Sequence, residues 1–292
     1  MHKYLSAAGF SNIKSRAEYE NLIKACAAGA TERAYTSNSE NTMFAMFSKD
    51  FAPGIGLAVC GEYDEAGNFN YDYSFPYLKG EGISSYEDLT VERHADKESY
   101  AGICDDIKVG ITLIFYLQNV VPYMRAKNTD KLPIKGTSLT LSAMSVHGTI
   151  VMPLEKNELV REKARQEKNS RNRLMEAARN GDEQAIENLT LDDMDTYSSL
   201  SKRVQREDIY TIVDTFFMPY GVECDQYSIL AEILECGKVN NALTGEVIYK
   251  LKLLCNELTF DLCINEKDLY GEPDVGRRFK GLIWLQGFIN FP

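Results

Sequence analysis

Glu246-Val-Ile-Tyr-Lys-Leu-Lys-Leu-Leu-Cys255 and Leu258-Thr-Phe-Asp-Leu-Cys-Ile264 are two apolar runs joined by the tight link Asn256-Glu257. Runs of this length and composition read as paired strands. Working outward, Tyr227 to Glu235 and Arg278 to Ile289 read as further strands, and Asn240-Asn241 and Thr244-Gly245 bound a loop. Several short strands over residues 222–292 predict a small β-barrel, OB-like or SH3-like.

Upstream, Ile55-Gly-Leu-Ala-Val-Cys-Gly-Glu-Tyr63 and Phe69-Asn-Tyr-Asp-Tyr-Ser-Phe-Pro-Tyr77 flank Asp64-Glu-Ala-Gly67, a hairpin with a glycine in its loop. Phe69, Tyr71, Tyr73, Phe75 and Tyr77 alternate, which predicts one wholly aromatic face. That face is either the core side of an antiparallel sheet or a platform for stacking a ligand. Ser15 and Glu18 have capping-box spacing, and Tyr19, Leu22, Ile23 and Cys26 follow at helical intervals, so a helix runs to the stop at Gly29. Val109 to Leu117 reads as a buried strand. Leu139, Leu141 and Ala143 alternate with Ser and Thr, and His147-Gly148 reads as a turn into Ile150-Val-Met152. Strands with a helix predict an α+β domain over residues 1–153.

Residues 154–221 are different material. Residues 155–180 hold 8 basic and 5 acidic side chains, and 181–225 hold 3 basic and 11 acidic ones. Between Val160 and Leu174 the only apolar residue is Ala164, so this stretch cannot bury a face. It reads as a solvated helical connector, with a disordered linker as the competitor. Three short helices are expected over residues 182–218. The full reading is α+β in three parts: an N-terminal antiparallel sheet with helices, a central helical segment, and a C-terminal barrel.

The formal charge of the 292-residue chain is −11, from 32 Lys plus Arg against 43 Asp plus Glu. That disfavours nucleic acid or an anionic membrane as a partner through overall charge. The N-terminus lacks the apolar core of a signal peptide. The most apolar stretch, residues 109–124, is too short and too polar to span a bilayer. The 7 cysteines are scattered and form no CxxC, which suits reduced thiols in the cytoplasm.

Metalloprotease, P-loop, dinucleotide and serine-hydrolase motifs are absent, and no cofactor is indicated. Two clusters carry chemical side chains. Glu92-Arg-His-Ala-Asp-Lys-Glu-Ser-Tyr100, followed by Cys104-Asp105-Asp106, holds acid, base and metal-ligand types together. Glu92, His94, Asp96 and Glu98 are its candidate residues, although one imidazole with neighbouring carboxylates is a weak metal pattern. The second cluster brings Arg277, Arg278 and Lys280 to the strand that carries Trp284, the only tryptophan. Cations beside aromatics suit single-stranded nucleic acid, or a peptide groove. Phe279 and Trp284 have opposite parity, so one of them is expected in the core.

Met1-His-Lys-Tyr-Leu5 with Gly9-Phe10, residues 92–106, Ile212 to Asp225, and Gly276-Arg-Arg-Phe-Lys-Gly281 through Gly287 give the chain a likeness. It resembles an uncharacterised clostridial family of about 290 residues, known only as a domain of unknown function. The resemblance implies a bacterial, cytoplasmic setting and supplies no activity. The lack of a catalytic signature and three modules joined by a charged connector give the expectation of a non-catalytic binding or scaffold protein with a protein or peptide partner. Its competitors are a hydrolase or transferase around His94 and a barrel that binds single strands. The basic and acidic parts of residues 155–225 would suit a homo-oligomer.

Overall fold

In the computed structural model, residues 2–37, 42–87, 89–93, 99–106, 111–129, 136–154, 166, 170–171, 173–178, 180–204, 209–221 and 224–292 are described. The chain begins with a short 3-10 helix, η1 (Lys3–Ala8), and continues into α1 (Arg16–Ala28). The capping box forms as read. The Glu18 amide donates to Ser15 Oγ at 3.2 Å, and the Ser15 amide donates to a Glu18 carboxylate oxygen at 3.0 Å.

Four antiparallel strands follow: β1 (Glu32–Ser37), β2 (Met43–Ala52), β3 (Ile55–Tyr63) and β4 (Phe69–Leu78). They pair in that order as sheet A. The aromatic row of β4 does not stay on one face. Cys60 pairs with Tyr73 but Gly61 pairs with Tyr71, leaving Asp72 as an extra residue. Such a bulge flips the alternation. Tyr73, Phe75 and Tyr77 share one face. Tyr71 turns to the other, where its hydroxyl meets Ser74 Oγ at 2.9 Å, and Phe69 packs against Phe47 and Tyr63. α1 covers that second face: Tyr19 Oη lies 2.7 Å from Ser74 Oγ, and Cys26 Sγ donates to the Leu57 carbonyl at 3.1 Å.

Next come β5 (Leu89–Arg93), β6 (Tyr100–Asp106), β7 (Ile111–Leu117), α2 (Val120–Asn128) and β8 (Ser138–Val151). The apolar stretch that continues to residue 124 thus divides into a strand and a helix. β8 is continuous for 14 residues, where a turn at His147-Gly148 was the expectation. Gly148 serves a close approach instead: a Cβ there would lie 2.3 Å from Phe279 Cε2.

Residues 182–218 hold α3 (Glu183–Val204), a single turn (Ile209–Ile212) and strand β9 (Phe216–Pro219), not three short helices. Adjacent phenylalanines favour the pleated surface. Phe217 places its ring 4.6 Å from that of Tyr227 as β9 pairs with the next strand. The remainder is β10 (Gln226–Asn240), β11 (Val247–Cys255), β12 (Leu258–Asn265), η2 (Glu266–Asp268), β13 (Leu269–Tyr270) and β14 (Arg278–Asn290). Asn256 and Glu257 join β11 to β12 with φ of 47° and 70°, the left-handed pair a two-residue hairpin needs.

β8, β12, β11, β10 and β14 close into a five-stranded barrel. An odd ring cannot alternate direction throughout. Four neighbour pairs are antiparallel, and β12 with β8 is the parallel one. The barrel predicted from residues 222–292 therefore takes one stave from residues 138–151. The architecture is α+β, mostly sheet, with sheet A lying against the barrel and η1 touching β3, β4, β8 and β12.

Candidate functional site

β14 connects the barrel interior to the space under sheet A. Phe279, Gly281, Ile283 and Leu285 form one face of the strand, and Trp284, Gln286, Phe288 and Asn290 form the other. Phe279 lies inside against Gly148 and Gly281. The opposite parity of Phe279 and Trp284 is therefore real, yet both are buried. Trp284 has its own cluster outside the barrel.

That cluster lines a cavity of about 280 Å³ between β4, β7, β14 and η1. Tyr4 stacks on Trp284 at 5.3 Å and 20°, His2 approaches it at 4.6 Å, and Tyr116 meets it edge-on at 5.0 Å. Phe75 lies 4.7 Å from Tyr116, and Tyr73 stacks beside Phe75. Asp225 fixes the indole by accepting from Trp284 Nε1 at 2.7 Å. Burial pushes the hydroxyls of Tyr4, Tyr73 and Tyr116 well above the ordinary phenol range. The Asp225 carboxylate adds to this at Tyr4 and, after Cys60, at Tyr116. These phenols are neutral donors and ring faces, not bases.

A second cavity, of about 380 Å³, opens on the other side of Phe75. Met46, Tyr77 and Phe288 give it apolar walls, and Gln118, Asn119, Thr140 and Asn290 give it amides and a hydroxyl. At its rim Tyr77 donates to Asp50 at 2.5 Å, and Lys79 Nζ lies 2.8 Å from Glu32 and 3.3 Å from Asp50. Between the cavities stands a buried amide knot. Gln286 Oε1 accepts from the Leu78 amide at 3.2 Å and from Gln118 Nε2 at 2.8 Å, while Gln286 Nε2 donates to the Pro76 carbonyl at 2.8 Å. Gln118 Nε2 and Ser142 Oγ donate to the Leu78 carbonyl at 2.9 and 2.7 Å.

The residues singled out in the sequence separate. Trp284 joins Tyr73 and Phe75 of the aromatic arm in the smaller cavity. Arg278 and Lys280 share the Trp284 face of β14 but meet residues 210–214. Arg278 is only 4% exposed. It donates to the carbonyls of Met152 (3.0 and 2.9 Å), Tyr210 (2.7 Å) and Val213 (2.9 Å). Lys280 donates to the Tyr210 hydroxyl and lies over its ring. Arg277 donates to the Glu272 carbonyl at 2.6 Å. Glu92 is exposed on β5 opposite Ala101. His94, Asp96 and Glu98 lie outside the described residues, as does most of the basic stretch 155–180.

Among the described residues no group of three or more His, Cys, Asp or Glu could hold a metal ion. None of the seven cysteines forms a disulfide, and burial pushes Cys26 and Cys60 up to about 12. No helix among the described residues is long and apolar enough to cross a membrane. Sequence reasoning missed His2, Tyr4, Tyr116 and Asp225 as cavity residues. The one available signal was a tyrosine closing the apolar run Ile111–Leu117.

A family model matches residues 5–287. The chain belongs to that family, DUF3881, a domain of unknown function described from E. rectale. The resemblance read in the sequence and this match agree. No curated protein and no solved structure matches the chain. The DUF3881 match includes sheet A, the barrel strands as far as Gly287, and eight of the cavity residues, Tyr73, Phe75, Tyr116, Asp225 and Trp284 among them. His2, Lys3 and Tyr4 precede it.

Proposed function

We propose that this DUF3881 chain is a cytoplasmic, non-catalytic binding protein that holds a small ligand in the cavity beneath Trp284. The observation that carries this reading is the convergence there of Tyr4, Tyr73, Phe75, Tyr116 and Trp284 around one carboxylate. Aromatic walls supply contact area and stacking at low entropic cost, and a few polar groups fix orientation. The raised phenols support binding over acid–base chemistry, since a base must be deprotonated near the working pH. Thiols that form no disulfide, four of them raised by burial at Cys26, Cys60, Cys236 and Cys263, support a reducing compartment. The five-stranded ring has the size of OB-like or SH3-like barrels, which use an outer face for ligands. Here sheet A lies against the outside of the ring, and the cavity opens between them.

The test is a melting screen of the purified chain against a varied set of metabolites, with Trp284 emission read in parallel. Compounds that raise the melting temperature saturably should also shift the emission, and Tyr116→Ala should weaken them by about 10-fold. Hits indifferent to Tyr116→Ala, no hits at all, or turnover of a hit by the wild-type chain would each sink the proposal.

A further inference from the structure

We infer that the cavity beneath Trp284 is built for a small organic ammonium ion, a free quaternary or methylated amine. This rests on the binding reading above and names the chemical class of its ligand. Tyr4 and Trp284 stack at 5.3 Å, with Tyr116 set against the indole at 61°. The faces of such rings carry negative quadrupole potential, and that potential attracts alkylammonium groups when water is excluded.

Asp225 is the one carboxylate lining this cavity among the described residues. Its charge reaches across the cavity, raising the phenols of both Tyr4 and Tyr116. An anion that passed the Lys3 ammonium at the mouth would meet that carboxylate and the ring faces together. The chain already rests a cation of its own on this surface: Lys3 Nζ lies 5.4 Å from the Tyr4 ring centroid, steadied by Gln226 Oε1 at 3.5 Å. Lys3 is exposed at the mouth, so its ammonium can move away when a ligand arrives. A cavity of about 280 Å³ is at the small end of ligand pockets, which suits a free ion better than a peptide side chain with its backbone.

The chain's only tryptophan reports directly on this site. The full chain would be titrated with choline and with its uncharged isostere 3,3-dimethylbutan-1-ol, following tryptophan emission. Saturable quenching by choline is expected, about 10-fold tighter than by the alcohol. Lys3→Ala, a change at an exposed position, should tighten choline about 2- to 5-fold by removing the competing ammonium. Asp225→Asn keeps an acceptor for the indole and should weaken it by about 10-fold. Equal affinity for choline and the alcohol, or no effect of Lys3→Ala and Asp225→Asn together, would overturn the inference. So would binding about 10-fold tighter to a trimethyl-lysine peptide than to choline. If choline fails while other compounds shift the same emission, the ligand class is wrong and the binding function stands. If nothing shifts it, both fall.

Discussion

The barrel and sheet A meet the same difficulty, strand edges with unpaired amides and carbonyls, and resolve it differently. The barrel closes on itself, so each stave pairs on both sides with another backbone. Sheet A keeps two edges and has side chains cover them. On the β1 edge Arg125 donates twice to the Tyr35 carbonyl, at 3.1 and 2.7 Å, and Asn128 donates to the Ser37 carbonyl at 2.6 Å. On the β4 edge the cover is Gln118, Ser142 and Gln286. An amide side chain reaches farther than a backbone pair. Sheet A is thus held off the barrel, and the two cavities open on either side of Gln286. Edges closed by backbone leave a close-packed, buried core, whereas edges closed by side chains leave cavities beside them.

The largest expected effect lies in the barrel. Phe279→Ala should cost about 3–5 kcal/mol, read as a lower urea midpoint at unchanged slope. A loss below about 1 kcal/mol would break the contrast, since the closed ring would not be the stable half. Gln286→Leu comes next. It strips partners from Pro76, Leu78 and Gln118 at once, and a cost of about 2–4 kcal/mol is expected. Hydrogen exchange should speed at the Leu78 amide well before it does in β12. Equal protection in both would mean that the amide knot does not close the edge.

A third, graded effect concerns the N-terminal segment between the two regions. Glu246 is buried, and burial alone would raise its pKa. Donors from Ser11, Lys267 and Asn265 outweigh that and hold it below the ordinary carboxylate value. A depressed carboxylate contributes stability above its unfolded pKa and loses it as pH falls through the folded one. Melting temperature should therefore drop as pH falls below the ordinary Glu range, and Glu246→Gln should flatten that slope. An unchanged slope in the variant would assign acid sensitivity elsewhere. The smallest effect is Arg125→Ala at the exposed β1 edge, about 0.5–1.5 kcal/mol. It should speed amide exchange in β1 while leaving β8 alone.

The sequence was most legible where local rules act alone. Ser15 and Glu18 announce α1, and Asn256-Glu257 announces the β11–β12 hairpin. The parity of Phe279 and Trp284 placed them on opposite faces. Legibility failed where distant partners decide. The bulge at Asp72 has no local signature, so Tyr71 was counted with the wrong face. Gly148 looked like a turn because Phe279, the ring that needs its missing Cβ, lies 131 residues further on. Two ingredients of the site, the aromatic arm and Trp284, were visible separately. Their meeting was not, because it depends on β14 running beneath β4 and on η1 bringing in Tyr4.

The parallel pairing of β8 with β12 also has a consequence for the order of events at the ribosome. β8 is made early, yet its neighbours β12 and β14 emerge only after the whole acidic helical stretch has been synthesised. A nascent chain halted before Arg278 would hold β8 with its long edge toward β14 open. Such apolar strands are the ones on which chains adhere to each other or to a chaperone. The stretch between residues 154 and 209 therefore sets a waiting time. Arg278, binding the carbonyls of Met152 and Tyr210 together, marks the moment at which that wait is over.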